Sequence, residues 1–193
     1  MKSHCSSTTG SAVAYFYFDF NTSEKQNATN CISSLIAQLY NQMVNTPEQL
    51  EDLYKGCGNG NHKADLPNLR AILKLFAQAE ELHDIFIVVD AIDECPNNQK
   101  DLRKELLDSI TEIRSWSPSN IHLLVTSRQE PDIETELTSL FTAPAISIKG
   151  AEVEADIKKY IAYELATDQK LSKWSDDLKA EIETTLTKET NGM

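Results

Sequence analysis

The sequence predicts an α/β fold, a mostly parallel sheet with helices on both faces, and three observations lead there. Runs of β-branched and aromatic residues alternate with stretches whose apolar residues recur every three or four positions. In the second half of the chain, each strand-like run is separated from the next by a helix-length segment, the crossover that parallel strands require. The chain has 193 residues, 40% of them hydrophobic and 25% charged, close to an ordinary globular composition and long enough to bury a core.

The elements follow in order. Ala12–Phe20 is dense in aromatic and β-branched residues and reads as a strand covered on both faces. Asn21 with Glu24 three residues later reads as an N-cap pair, ahead of a helix carrying Ile32, Leu35, Ile36, Leu39 and Met43. Thr46-Pro47 with Gln49 starts a short helix, proline at the first helical position losing no needed N–H. Gly56-Cys57-Gly58-Asn59-Gly60 is a flexible break before a helix striped by Leu69, Ile72, Leu73 and Phe76. Ile85–Val89 is a buried strand ending in Asp90. A helix striped by Leu102, Leu106, Ile110 and Ile113 stops near Pro118. Ile121–Thr126 is a strand, Pro131–Leu140 a helix, and Ala145–Ile148 a short strand before Gly150. Two helices finish the chain, one striped by Val153, Ile157 and Ile161, the other by Trp174, Leu178, Ile182 and Leu186. No internal repeat or low-complexity tract interrupts this order.

Charge and cysteine usage exclude several functions. Lys and Arg number 18 against 30 Asp and Glu, a net charge of −12, which repels phosphate backbones and anionic lipid. Neither a nucleic-acid nor a membrane partner is therefore expected. No stretch approaches the ~18 apolar residues of a membrane span, and Ala12–Phe18 is too short for a signal-peptide core. Cys5, Cys31, Cys57 and Cys95 form no CxxC pair, so neither a disulfide scaffold nor a four-cysteine zinc site is encoded, and a reducing, cytoplasmic setting is the expectation. The histidines (His4, His62, His83, His122) show no metal spacing, and Cys57 with His62 supplies two ligands only. Cys95 reads as a small turn residue, Trp116 and Trp174 as packing residues, and Glu152, Glu154, Asp156, Asp176, Asp177, Glu181 and Glu183 as lying mostly on solvated helix faces.

Two strand ends carry the chemistry, as expected where ligands sit beyond the carboxyl ends of parallel strands. Asp90 directly follows five apolar strand residues, a placement that can hold Mg²⁺ through water, and Ala91 is small enough to let a ligand approach the backbone. Asp93 and Glu94 follow on the turn, where one of them can orient or deprotonate an attacking water. The plainer alternative is that Asp90 ends a strand and the other two begin a turn. Arg128, two residues past the second strand, can contact a terminal phosphate; the plainer alternative is a surface pair with Glu130 or Asp132.

Together these segments resemble a known family. Asp90-Ala91-Ile92-Asp93-Glu94 resembles the Walker B element of NACHT-type (STAND) signal-transduction NTPases, and Thr126-Ser127-Arg128 resembles their sensor 1. Tyr15–Phe20, Ser33–Leu39, Glu94-Cys95-Pro96 and Ser127–Glu130 resemble the N-terminal NTPase region of nephrocystin-3-like proteins, found in fungal multidomain proteins with ankyrin or related repeats. The resemblance implies a P-loop NTPase-like sheet, with Mg²⁺ and ATP or GTP as cofactors. It assigns Asp90 to Mg²⁺ through water, Asp93 or Glu94 to the hydrolytic water, and Arg128 to the γ-phosphate. It implies a partial NACHT core over 1–150 and the start of a following helical region over 151–193.

One part of the family pattern is absent. None of the six glycines is followed by Lys-Ser or Lys-Thr, so the phosphate-cradling G-x-x-x-x-G-K-[ST] loop is not in the sequence, and Gly56–Gly60 lacks the lysine. The resemblance places that loop upstream of Ala12 and its strand between Ile121–Thr126 and Ala145–Ile148. The expectation is a chain truncated before Ala12 and after Met193. The central phosphate-loop strand is then missing, leaving a slot of about 4.8 Å in the sheet. An upstream Walker A segment and downstream helical or repeat domains are the implied partners, with self-association through the open slot a further option. ATP affinity of the chain alone is then expected to be weaker than about 1 mM. The implied function is one part of a nucleotide-gated signalling switch, inactive by itself. The alternative is a non-catalytic interaction or scaffold module derived from the same fold. A flavodoxin-like domain lacks any phospho-acceptor or flavin cue.

Overall fold

A computed structural model describes residues 10–45, 47–97, 101–116, 120–141, 145–146 and 151–189. The chain divides at residues 142/143 into two compact units. The first holds β1 (Ser11–Tyr17), α1 (Ala28–Tyr40), α2 (Glu48–Gly56), α3 (Leu66–Ala77), β2 (Asp84–Asp90), α4 (Leu102–Ser115), β3 (Ile121–Val125) and α5 (Pro131–Leu140). The three strands form one parallel sheet in the order β1-β2-β3. Val13 stands beside Phe86 and Phe86 beside His122, which sets the register.

Side chains alternate across a strand, so each strand offers one set to the core. Ala12, Ala14 and Phe16 of β1 and Ile85, Ile87 and Val89 of β2 are buried, with Ile121, Leu123 and Val125 of β3 packed against them. The predicted helical stripes meet this face: Ile32, Leu35, Ile36 and Leu39 from α1, Leu69, Ile72, Leu73 and Phe76 from α3, and Leu106, Ile110 and Ile113 from α4. Among the described residues of the first unit, these helical stripes cover this one face. On the opposite face Val13 is buried, whereas Tyr17 and Leu124 are exposed. Nor is the first strand covered throughout, since Tyr17 and Phe20 are 50% and 66% exposed.

The helix starts differ from expectation in detail. The N-cap of α1 is Asn27, whose Oδ1 accepts the Asn30 N–H at 2.8 Å. Asn21 instead donates its N–H to Asp19 Oδ1 at 2.9 Å, in a turn leading to a short 3₁₀ segment, Ser23–Lys25. The Asn-x-x-Glu spacing was present, but Asp19 holds the Asn21 amide before it can open a helix. Pro47 caps α2 from outside, with ψ 129°, and its carbonyl accepts the Leu50 N–H at 3.0 Å. The break after α2 is a tight turn in which Gly58, Asn59 and Gly60 all have positive φ. At Gly60 a Cβ would meet the Tyr54 ring at 3.0 Å.

Two glutamines close the outer edge of β1. Gln38 Oε1 accepts the Tyr15 N–H at 3.1 Å while its Nε2 donates to the Tyr15 carbonyl at 2.7 Å. Gln42 repeats the pair on Val13, at 3.0 and 2.9 Å. The side-chain amides stand in for a fourth strand, satisfying backbone groups that an edge otherwise leaves open. The far side of β3 has no paired strand among the described residues. The short strand expected at Ala145–Ile148 is not seen where it is described: Ala145 and Ile146 are not in a strand and Ile146 is 93% exposed, while residues 147–148 lie outside the described residues.

The second unit contains α6 (Ala151–Thr167), a 3₁₀ turn (Leu171–Lys173) and α7 (Asp176–Glu189). Among its described residues Leu165 is buried and Ile157 and Ile161 are half-buried. Four-residue steps wind about 40° per step around a helix of 3.6 residues per turn. This is why Leu178 and Leu186, predicted to share a stripe with the half-buried Ile182, remain 41% and 44% exposed; Trp174, 42% exposed, lies ahead of the helix. Asp156, Asp176, Asp177 and Glu181 are on the solvated faces, as expected, and no described helix is long and apolar enough to cross a membrane.

Candidate functional site

The site is built where β2 and β3 end. After Asp90 the chain turns at Ala91, held in the left-handed region at φ 56°, ψ 48°, and enters a short 3₁₀ segment, Ile92–Glu94. That conformation costs a residue with a Cβ about 1–2 kcal/mol, and the hydrogen bonds around it stabilise it. Thr126 supplies three of them. Its hydroxyl accepts the Ala91 N–H at 3.0 Å and donates to Asp90 Oδ1, and its carbonyl accepts the Ile92 N–H at 3.1 Å. Ile92 is fully buried and pins the turn to the core.

The next connection is ionic. Asp93 Oδ1 accepts the Arg128 N–H at 3.0 Å, and its Oδ2 lies 3.7 Å from Arg128 Nε. The Asp93 side chain is only 10% exposed, whereas that of Arg128 is 74% exposed and reaches into solvent. Glu94 Oε2 accepts the Phe20 N–H at 3.0 Å, bringing in the segment after β1. The Phe20 carbonyl is held in turn by Gln26 Nε2 at 2.6 Å. Asp19 beside it accepts the Asn21 N–H and the Thr22 hydroxyl, and these bonds hold its carboxyl below the usual carboxylate range.

These groups surround a cavity of about 560 Å³ lined by Phe20, Gln26, Asp93, Glu94, Arg103, Arg128 and Glu130, with Cys95, Pro96 and Asn97. Three of the four residues singled out in the sequence, Asp93, Glu94 and Arg128, therefore share one cleft. Asp90 does not line it. Its carboxylate is turned to the Thr126 hydroxyl, and so it is linked to the same loop rather than to the same space.

The expected surface pair of Arg128 with Glu130 or Asp132 is not what forms. Those two acids face Arg103, at 3.9 and 3.3 Å from its Nη1, and Arg128 turns back to Asp93 instead. Arg103 is 7% exposed, with Nε donating to the Cys95 carbonyl at 2.8 Å and Nη2 to the Asp93 carbonyl at 2.6 Å. Sequence reasoning passed over it. The signal was present: Arg103 lies three residues before Leu106 and seven before Ile110, so it is a cation on the apolar stripe of α4.

Cys95 is fully buried and donates its thiol to the Gln26 carbonyl at 3.3 Å, consistent with the turn-residue reading. Burial pushes the Cys95 thiol up to about 12, against a smaller lowering by Arg103. The Cys31 thiol is raised likewise by burial, with Cys95 nearby adding to it. No group of three or more His, Cys, Asp or Glu side chains able to hold a metal occurs among the described residues.

The segments that bring Asp93, Glu94, Arg103 and Arg128 to this cleft fall within a single family match, with Glu130 just beyond it: the model of the nephrocystin 3 N-terminal family covers residues 2–128. The chain belongs to that family. For this nephrocystin 3 N-terminal chain, the match spans β1 to the arginine after β3, and so includes Asp90, Asp93, Glu94 and Arg128. No curated protein and no solved structure matches it.

Proposed function

We propose that this chain is the magnesium- and water-handling part of a NACHT-type nucleoside-triphosphatase switch, to which an upstream segment contributes the phosphate-binding loop and its strand. The observation that carries the reading is the convergence of the segments after β2 and β3: Asp93 holds the Arg128 N–H, and both line one cleft with Glu94. In this reading Asp90, which lies on the same loop but outside the cleft lining, would hold Mg²⁺ with the Thr126 hydroxyl beside it. One carboxylate and one hydroxyl suit a cation that keeps several waters and takes phosphate oxygens. Bound Mg²⁺ would neutralise charge on the phosphates. Glu94 is better placed than Asp93 to orient water. Asp93 is occupied by Arg128, and Glu94 gives only Oε2 to Phe20. The exposed Arg128 guanidinium would meet the γ-phosphate of ATP or GTP.

The sequence carries no G-x-x-x-x-G-K-[ST] loop, whose backbone N–H groups and lysine cradle the phosphates in this class of NTPase. Titration calorimetry with Mg-ATP should show no saturation below about 1 mM. Low-micromolar binding by the chain alone overturns this part of the reading. In a longer chain that carries the loop, Asp90→Ala or Arg128→Ala should cut hydrolysis at least about tenfold, a loss of about 1.4 kcal/mol of transition-state stabilisation. Unchanged turnover would refute the assigned roles.

A second reading, a non-catalytic interaction module, has its own support. The outer edge of β1 is closed by Gln38 and Gln42, whereas the far side of β3 has no partner among the described residues and Leu124 on it is 47% exposed. An open edge pairs readily with another chain. Concentration-dependent association in light scattering supports this reading, and a strictly monomeric chain counts against it.

A further inference from the structure

We propose that Arg103 is the positioning residue of the site, locking the acidic turn after β2 to the start of α5 so that the segments after β2 and β3 hold one arrangement. The identity of the positioned groups, Asp93 and Glu94, rests on the functional reading above; the mechanical role does not. Arg103 comes from the second residue of α4, and its guanidinium contacts two segments at once. Nε and Nη2 take the carbonyls of Cys95 and Asp93, which bracket Glu94, while Nη1 faces both oxygens of Asp132 at 3.3 and 3.4 Å. Fixing the carbonyls on either side of Glu94 fixes the direction of its side chain into the cleft. Asp93 is then held twice, by Arg103 through its carbonyl and by Arg128 through its carboxylate. Asp93 thus couples the two loops, in addition to the Thr126 bonds that join them at Asp90, Ala91 and Ile92.

Stability alone does not explain an arginine here. An apolar side chain at this stripe position would bury without desolvating a charge, and buried ionic groups commonly stabilise no better than hydrophobic ones. What the guanidinium adds is geometry. Its planar fork reaches two carbonyls and a carboxylate together, which the single ammonium of lysine cannot do.

The test is amide exchange by NMR in the 193-residue chain carrying Arg103→Lys or, separately, Asp132→Asn. Both variants should speed exchange at Glu94, Cys95 and Arg128 by about tenfold or more while Ile87 and Ile110 change by less than about twofold. Acceleration at Glu94 and Cys95 from Asp132→Asn is the informative result, since the Asp132 side chain is linked to the Asp93 and Cys95 carbonyls through the Arg103 guanidinium. Should Arg103→Lys fail to fold, Asp132→Asn carries the test by itself. Uniform acceleration across β2, α4 and the turn, or no change at the turn in Asp132→Asn, overturns the proposal. No nucleotide enters the measurement, so a chain that binds no ATP in any form defeats the functional reading and leaves this one standing.

Discussion

Replacing Gln38 and Gln42 with alanine removes the side-chain strand that ends the sheet at β1. Four hydrogen bonds to the Val13 and Tyr15 backbone are lost, at 2.7 to 3.1 Å and partly buried. A net hydrogen bond stabilises by about 0.5–1.5 kcal/mol, but the freed groups lie at an edge where water can reach them, so the lower half of that range applies. Alanine also returns a few tenths of a kcal/mol in helix propensity at position 38. The single variants should therefore lose about 1 kcal/mol each and the double variant about 2 kcal/mol, close to additive. With a urea slope of about 2 kcal/mol per molar, the midpoint of the double variant should fall by about 1 M. Light scattering should show more association than in the unmodified chain, because a second open edge has been created. Gln38→Glu sharpens the test: it keeps the helix and an acceptor but cannot donate to the Tyr15 carbonyl, and should cost at least as much as alanine. A double variant that loses less than about 0.5 kcal/mol and associates no more than before would refute the surrogate-strand account.

Three further perturbations probe the turn and the core. Thr126→Val keeps the shape but strands the Ala91 N–H and strips Asp90 of its hydroxyl donor; a loss of about 2–4 kcal/mol in urea unfolding is expected, and under about 0.5 kcal/mol would dismiss the threonine as a crosslink. Ala91→Gly relieves the left-handed strain while loosening the unfolded chain, two effects of similar size, so stability should move by less than about 1 kcal/mol, whereas Ala91→Val should lose more than that. Alkaline pH should destabilise the fold through its buried thiols. Cys95 is raised from 9.0 to about 12 and Cys31 is raised too, so the unfolded chain releases protons first. The stabilisation is complete below pH 9.0 and is lost as pH rises toward 12. A Cys31→Ala, Cys95→Ala chain, followed by urea midpoints across that range, should lose less of its stability than the unmodified chain.

Much of this molecule was legible in local patterns. The stripe at Leu69, Ile72, Leu73 and Phe76 predicts α3 because helical spacing and burial obey the same period, and all four residues are buried. Pro131–Leu140 is the observed span of α5, since proline opens a helix without losing an N–H that the helix needs. The strand ending in Asp90 was visible for a similar reason: five apolar residues and an acid set both its burial and its end. Where two local signals competed, the pattern misled. Asn21 carries the N-cap spacing, but it lies in a turn closed by Asp19, and the helix is capped six residues on by Asn27.

Asp90, Asp93, Glu94 and Arg128 could be named from sequence because acids and a cation directly after buried strands have to emerge at one rim of a parallel sheet. Their partners could not be named. Arg128 lies two residues from Glu130 and four from Asp132, yet it bonds Asp93, 35 positions away, while Arg103 takes the nearer acids. Sequence distance sets which charges are neighbours on a chain; packing sets which are neighbours in space, and electrostatic pairing follows the second. The glutamine strand on β1 shows the same division. Composition and periodicity specify that a helix follows the first strand, because those forces act between residues a few positions apart. Which polar side chains of that helix reach the strand's open backbone depends on the crossing of two elements, and that is decided when the core they share is filled.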